Sequence, residues 1–406
     1  MGALDGVRVL DLTRVLAGPW CTQLLADYGA EVIKVERPGR GDDTRGWGPP
    51  WLRDREGRNT TESAYFLAAN RNKRSIAVNL ASAEGQAIVC ELAKRADVLV
   101  ENFKVGALAR YGLDYAALAA IHPGLVYCSI TGYGQDGPDA GAPGYDALIQ
   151  ARCGLMSITG HPDGEPGGGP MKTGIAVVDL MCGMYAATAI LAALRHRDAT
   201  GQGQHLDVSL LDTGVAWLSH LCMNYLLSGE VPARYGNAHV SIVPYQAFAT
   251  ADGQLLLAVG NDSQFRRFAA VIGAPQWGDD PRFATNAARV AARAELVPLI
   301  AARLSTRATA DWLRAFRAAQ VPAAPIQSIA EVFADPQVVH RGLRTSMPHP
   351  LCGELPMVAH PVRWSATPAS YRQPPPRLGE HTDEVLAELG FDAPQIAELR
   401  TRGVVG

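Results

Sequence analysis

VRVLDLTRVLAGPWCTQLLADYGAEVIKVE, residues 7–36, decides the fold class. Val7 to Leu12 (V-R-V-L-D-L) is a short apolar run of β type, Pro19 to Tyr28 has the spacing of a helix, and Glu31 to Glu36 (E-V-I-K-V-E) is β again. Strand, helix, strand is the unit that lays two parallel strands side by side. Downstream, Ser82 is placed to cap a helix over residues 83–96, and 97–101 and 125–130 read as further buried strands. The alternation predicts an α/β protein with a parallel, doubly wound sheet. A dinucleotide-binding turn would carry G-x-G-x-x-G between the first strand and helix. Leu12 to Trp20 reads L-T-R-V-L-A-G-P-W instead, which argues against a simple dehydrogenase.

Residues 131–174 are rich in Gly, Pro and Asp, and an irregular stretch of that length inside a compact domain is often functional. It leads into Leu180 to Leu194, fifteen uncharged residues. That is short of the roughly 20 needed to span a bilayer, so a buried helix is expected, with Asp179 immediately before it. Helical segments run on to about residue 227. After a polar break at 228–240, strands at 246–250 and 254–259 open a second α/β unit, followed by an Ala/Arg/Leu helical pattern over 270–319.

With 406 residues, 48% of them hydrophobic, the chain is long enough for two or three packed domains. A net charge of -3 offers no basic footprint for nucleic acid or an anionic membrane. Seven cysteines, scattered and never closer than 25 residues apart, imply no disulfide framework and no C-x-x-C metal site. The first strand starts within a few residues of the N-terminus, leaving no space for a targeting peptide. The expectation is a reduced, cytoplasmic enzyme without metal, acting on small molecules.

Several residues could carry chemistry. Asp179, at the mouth of an apolar helix, is expected to stay ionised, favoured by the helix N-terminus by about 1 kcal/mol. In a dry setting it is a usable nucleophile toward an activated acyl carbon, and equally an ordinary N-cap. Val259 to Phe265 (V-G-N-D-S-Q-F) reads as a ligand-covering loop or as a strand-to-helix turn capped by Asp262. Lys73, Arg74 and Arg110 fall near strand ends, where a doubly wound sheet binds ligands, although surface cations are commonly only solvated. Tyr145, after the Gly/Pro-rich stretch, is a hydrogen-bond donor or a packing residue. No G-x-S-x-G elbow occurs.

Taken together, L-D-G-V-R-V-L-D-L-T-R-V-L-A-G-P, G-A-E-V-I-K-V-E-R-P-G-R-G-D-D-T-R, N-R-N-K-R-S-I, V-E-N-F, K-T-G-I-A-V-V-D-L and L-G-E-H-T-D-E-V-L resemble family III CoA-transferases across essentially the whole chain. G-D-D-T-R-G-W-G-P-P, H-V-S-I-V-P-Y-Q-A-F and V-G-N-D-S-Q-F are most similar to the succinate:hydroxymethylglutarate branch, which handles glutarate and related dicarboxylates. The resemblance implies a Rossmann-like large domain built from both chain ends (1–227 and 331–406), a smaller α/β domain at 228–330, and an interlocked ring homodimer. It also implies that Asp179 attacks an acyl-CoA thioester, giving an aspartyl anhydride and then an aspartyl-CoA thioester. By position, Val15, Leu16, Ala17, Arg37, Asn72, Lys73, Asn102, Phe103, Ala107 and Arg110 would contact coenzyme A. Gly260 and Asn261 would form a loop over Asp179, and Arg45 and His239 are candidates to hold an acceptor's second carboxylate. Formyl-CoA:oxalate transferases carry glutamine where this chain has Leu16, and a run of glycines where V-G-N-D stands. Acyl-CoA racemases of the same fold place a histidine base where Tyr145 stands. Both are weaker alternatives for that reason.

Overall fold

The structure, a computed structural model, describes residues 2–406. Six strands form the central sheet: β1 (Arg8–Asp11), β2 (Glu31–Glu36), β3 (Lys73–Ala77), β4 (Val98–Glu101), β5 (Val126–Thr131) and β6 (His205–Ser209). They stand in the order β3-β2-β1-β4-β5-β6, parallel throughout. The order reverses between β1 and β4, the switch point at which doubly wound sheets open a ligand crevice. β3, β4 and β5 are buried at every residue, as expected of strands covered on both faces.

One face packs Val9, Val32, Val98 and Val126 against helices α1 (Ala17–Asp27) and α4 (Val177–Thr200). The other packs Leu10, Ile76, Leu99 and Tyr127 against α2 (Ala83–Arg95). Ser82 Oγ accepts from the Gly85 N–H at 3.1 Å and caps α2. The short helix α3 (Asp146–Arg152) follows the Gly/Pro-rich stretch. α4 begins two residues before Asp179 and runs for 24 residues, longer than the apolar run that signalled it. Its length and composition would suffice to cross a membrane, but Cys182, Ala186, Ile190 and Ala193 are buried in the core.

The chain divides into two compact units. The first holds the chain up to Leu155, Thr173–Ser228 and His340–Gly406; the second holds Met156–Lys172 and Gly229–Val339. Within the first, the C-terminal residues return to the edge of the sheet: the Gly406 N–H donates to the Ala77 carbonyl at 3.0 Å and the Asn79 N–H to the Val404 carbonyl at 2.8 Å. The second unit is built on an antiparallel sheet of β7 (Tyr245–Ala249), β8 (Gln254–Ala258) and β9 (Ala323–Pro325), with β8 central. Phe248, Leu255, Phe265, Phe268 and Phe316 form its core, two of them from helix α5 (Asp262–Val271).

Candidate active site

A cavity of about 500 Å³ opens in the first unit at the C-terminal ends of β1, β4 and β5. Arg14 to Ala17, following β1, form one wall; Asn102 to Lys104, following β4, form another. Asp179 and Tyr145 complete it, and Tyr145 is 59% exposed. A second cavity, of about 430 Å³, shares Arg14, Arg40, Asp43 and Phe103 with the first and is lined also by Arg37 and Tyr111.

The wall after β1 is held under strain. Val15 has φ of 72°, a left-handed conformation that β-branched residues rarely adopt. Its N–H donates to Asp42 Oδ1 at 3.2 Å. One residue earlier, the Arg14 N–H donates to Asn102 Oδ1 at 3.0 Å, while Asn102 Nδ2 donates to the Arg14 carbonyl at 2.7 Å. Beneath lies a network of buried charge. Lys34 Nζ donates to the Thr13 carbonyl at 2.7 Å and to Asp42 Oδ2 at 3.0 Å. Asp11 accepts from Thr13, Thr22 and Lys73. Burial alone would raise the pKa of Asp11, but Lys73, Lys34 and the two threonine hydroxyls outweigh it and bring it to about 2.

Asp179 differs. It lies inside the first turn of α4 and is not its cap; that role belongs to Asp146, whose Oδ1 accepts from the N–H groups of Val178 (2.9 Å) and Asp179 (3.3 Å). Gln150 Nε2 steadies Asp146 at 2.6 Å. Among the described residues no hydrogen-bond donor or cation is set against the Asp179 carboxylate, and burial, followed by the charge of Asp146, raises its pKa to about 7. The expectation that it stays ionised therefore gives way: desolvation and a like charge outweigh the helix N-terminus, and Asp179 titrates near neutrality. Beside the cavity, Trp47 and Tyr65 meet edge to face, ring centroids 5.1 Å apart, and the charge of Asp179 contributes to the raised pKa of Tyr65 after burial.

Seven of the residues named from the sequence thus share one cavity: Val15, Leu16, Ala17, Asn102, Phe103, Tyr145 and Asp179. Arg37 lies on the second, and Arg110 stands over the ring of Tyr111 at its edge, 4.6 Å from the centroid. Ala107 closes the turn after Lys104, donating its N–H to the Lys104 carbonyl. Lys73, Asn72 and Arg45, in the same unit, are spent elsewhere. Lys73 is fully buried, its ammonium donating to Asp11, the Pro19 carbonyl and Asn70, which leaves no proton for a phosphate. Asn72 uses its carboxamide to tie Asp27 to the Ser370–Gln373 segment. Arg45 is bidentate to Glu36, bonded to Glu62 and the Pro376 carbonyl, and stacked 3.6 Å over Phe66, so four of its five N–H donors are spent inside the fold. His239, Gly260 and Asn261 belong to the second unit. There Asn261, not Asp262, caps α5 by accepting from the Gln264 N–H, while Asp262 pairs with the buried Arg289.

Sequence reasoning missed Arg14, Arg40, Lys104, Trp47 and Asp146. Arg14 and Lys104 carry a usable signal, since each follows the C-terminal end of a sheet strand by three residues. Asp146 carries none, because the helix it caps starts 31 residues later.

A doubly wound sheet without a dinucleotide fingerprint, whose switch-point cavity is rimmed by arginines and holds an unpaired Asp179 beside an ion-paired Asp43, has the form of a small-molecule enzyme. The chain belongs to the CoA-transferase family III, whose profile matches residues 4–382, and it is a CoA-transferase. It is 51% identical over 386 residues to the succinate–glutarate CoA-transferase of Agrobacterium fabrum, covering 95% of each chain. It is 47% identical over 406 residues to the succinyl-CoA:glutarate CoA-transferase of Mus musculus, covering 100% of this chain and 91% of that one. A CaiB/BaiF family protein from Brucella suis superposes with a TM-score of 0.84 at 45% identity, covering 96% of this chain and 99% of that one.

Proposed function

We propose that this enzyme moves CoA from succinyl-CoA or glutaryl-CoA to a free dicarboxylate, with Asp179 as the nucleophile. The observation that carries the reading is the unpaired Asp179 carboxylate on the cavity wall, with a pKa of about 7. Ionised, it attacks the thioester carbonyl, the C–S bond breaks, and an aspartyl acyl anhydride and CoA thiolate result. The thiolate attacks the Asp179 carbonyl of the anhydride, releasing the donor acid and leaving an aspartyl-CoA thioester. The acceptor carboxylate attacks that thioester and expels the thiolate, which then takes the acceptor acyl group from the new anhydride and frees Asp179. One activated acyl bond survives each step, so no other energy source enters.

Val15, Leu16, Ala17, Asn102 and Phe103, which line the cavity, would contact the arm of CoA that reaches Asp179, and Arg14, Arg37 and Arg40 would meet its phosphates. Asn72, Lys73 and Arg45 then serve the fold beneath the site. For the acceptor's second carboxylate His239 remains the candidate, supported by resemblance to the dicarboxylate branch. The homodimer reading draws support from Trp217, Met223, Tyr225, Leu226 and Leu227, large apolar side chains that are about half or more exposed on one protomer. The seven free thiols fit a reducing, cytoplasmic compartment.

Asp179→Ala tests the proposal: CoA binding should survive while transfer is lost, and hydroxylamine added with acyl-CoA should convert Asp179 of the wild type to a hydroxamate. Label found on another carboxylate would reassign the nucleophile.

A further inference from the structure

Gly183 lies inside α4, where glycine is a poorer helix former than alanine. What faces it explains the residue. A β-carbon at Gly183 would sit 2.5 Å from the Ala17 carbonyl oxygen, 3.3 Å from the Cys21 amide nitrogen and 3.3 Å from the Trp20 β-carbon. Two of these are backbone atoms of α1 and cannot swing aside. α1 and α4 therefore cross in backbone contact at this residue.

Asp179 precedes Gly183 by four residues and shares its helix face. On the other side of the contact, Leu16 and Ala17 line the same cavity as Asp179. The N-terminus of α1 has no side-chain cap and no acid in its first turn, so its positive end is not neutralised by its own residues. The spacing at Gly183 thus fixes how far the Asp179 carboxylate stands from those amides.

We propose that Gly183 is a positioning residue for transfer: by letting α1 and α4 touch, it holds Asp179 at reacting distance from an acyl group seated against the N-terminus of α1. This rests on the reading of Asp179 as nucleophile.

The test is Gly183→Ala in the full-length enzyme, with succinyl-CoA as donor and glutarate as acceptor. CoA affinity by calorimetry should stay within about twofold, while kcat falls on the order of tenfold to a hundredfold, the scale of a misplaced reacting group. The pH midpoint of kcat/KM should also rise, because Asp179 recedes from the positive end of α1. A kcat within twofold of wild type, CoA affinity lost in step with kcat, or an unmoved pH midpoint would each overturn the proposal. Asp179→Ala run alongside separates the two claims: if it is active the nucleophile reading fails, and if it is dead while Gly183→Ala is normal only the positioning role fails.

Discussion

Asp11 and Asp179 belong to one unit and both are shielded from water, yet they ionise in opposite senses. Asp11 is fully buried with a pKa of about 2; Asp179 is only partly buried with a pKa of about 7. Depth alone would give the reverse order. At both, burial is the largest influence and acts upward. At Asp11 the ammonium groups of Lys73 and Lys34 outweigh it, whereas at Asp179 the neighbouring charge, Asp146, adds to it. The region after β1 uses its lysines to fix a strained wall, and the first turn of α4 is left without one. A carboxylate locked in an ion pair is a poor nucleophile, so the difference separates scaffold from chemistry.

The largest effect should come from breaking the chemical side of that contrast. Asp179→Asn should lower transfer by at least about a thousandfold, since the other carboxylate on the cavity, Asp43, is paired with Arg14 and Arg40. Its stability effect has a definite sign. Because the folded-state pKa lies above the usual value of 3.8, the proton-bound carboxyl contributes stability that is full below about pH 4 and lost as pH rises through about 7. The Asn variant should therefore gain on wild type at pH 8 and not at pH 4, on the order of 2 kcal/mol in urea titrations. Equal differences at both pH values would mean an unperturbed Asp179.

Breaking the scaffold side should cost stability instead. Lys73→Met leaves Asp11 buried with one ammonium fewer, a loss of about 3–5 kcal/mol. The wild-type contribution of Asp11 is present above about pH 4 and disappears as pH falls toward 2, because its folded-state pKa is depressed. Arg45→Met should behave likewise, through Glu36 and Glu62. Normal urea midpoints with weakened CoA binding would return Lys73 to the ligand.

That contrast also marks what the sequence could convey. The strands were legible because apolar runs such as residues 98–101 are read locally, and Asp179 because it opens an apolar helix. Lys73 was ambiguous because a cation near a strand end looks the same whether it faces solvent or, as here, a buried acid at position 11, and Arg45, suggested by resemblance, meets a buried acid at position 36. Pairing across 62 residues, or across 33 for Asp146 and Asp179, is a property of the folded sheet and leaves no local pattern.

A smaller effect concerns the acceptor. Burying a second carboxylate costs several kcal/mol unless donors meet it, so a dicarboxylate site should discriminate. With succinyl-CoA as donor, butyrate should be poorer than glutarate by about 1.5–3 kcal/mol in kcat/KM, tenfold to over a hundredfold. His239→Ala should erase much of that gap without changing CoA affinity. Butyrate turning over as well as glutarate would remove the dicarboxylate assignment.

The smallest effect sharpens the comparison most, because it separates charge from burial at Asp179. Asp146→Asn keeps an oxygen able to accept from the Val178 and Asp179 amides while removing the like charge. The Asp179 pKa should fall by about one unit or less and stay above 3.8, since burial, the larger cause, remains. The acid limb of the kcat/KM profile should move to lower pH by that amount, with the alkaline plateau little changed. Asp146→Ala removes the cap as well and should cost about 1 kcal/mol of stability that the Asn variant keeps. An acid limb that does not move in Asp146→Asn would assign the whole rise to desolvation. The contrast with Asp11 would then rest on the lysines alone.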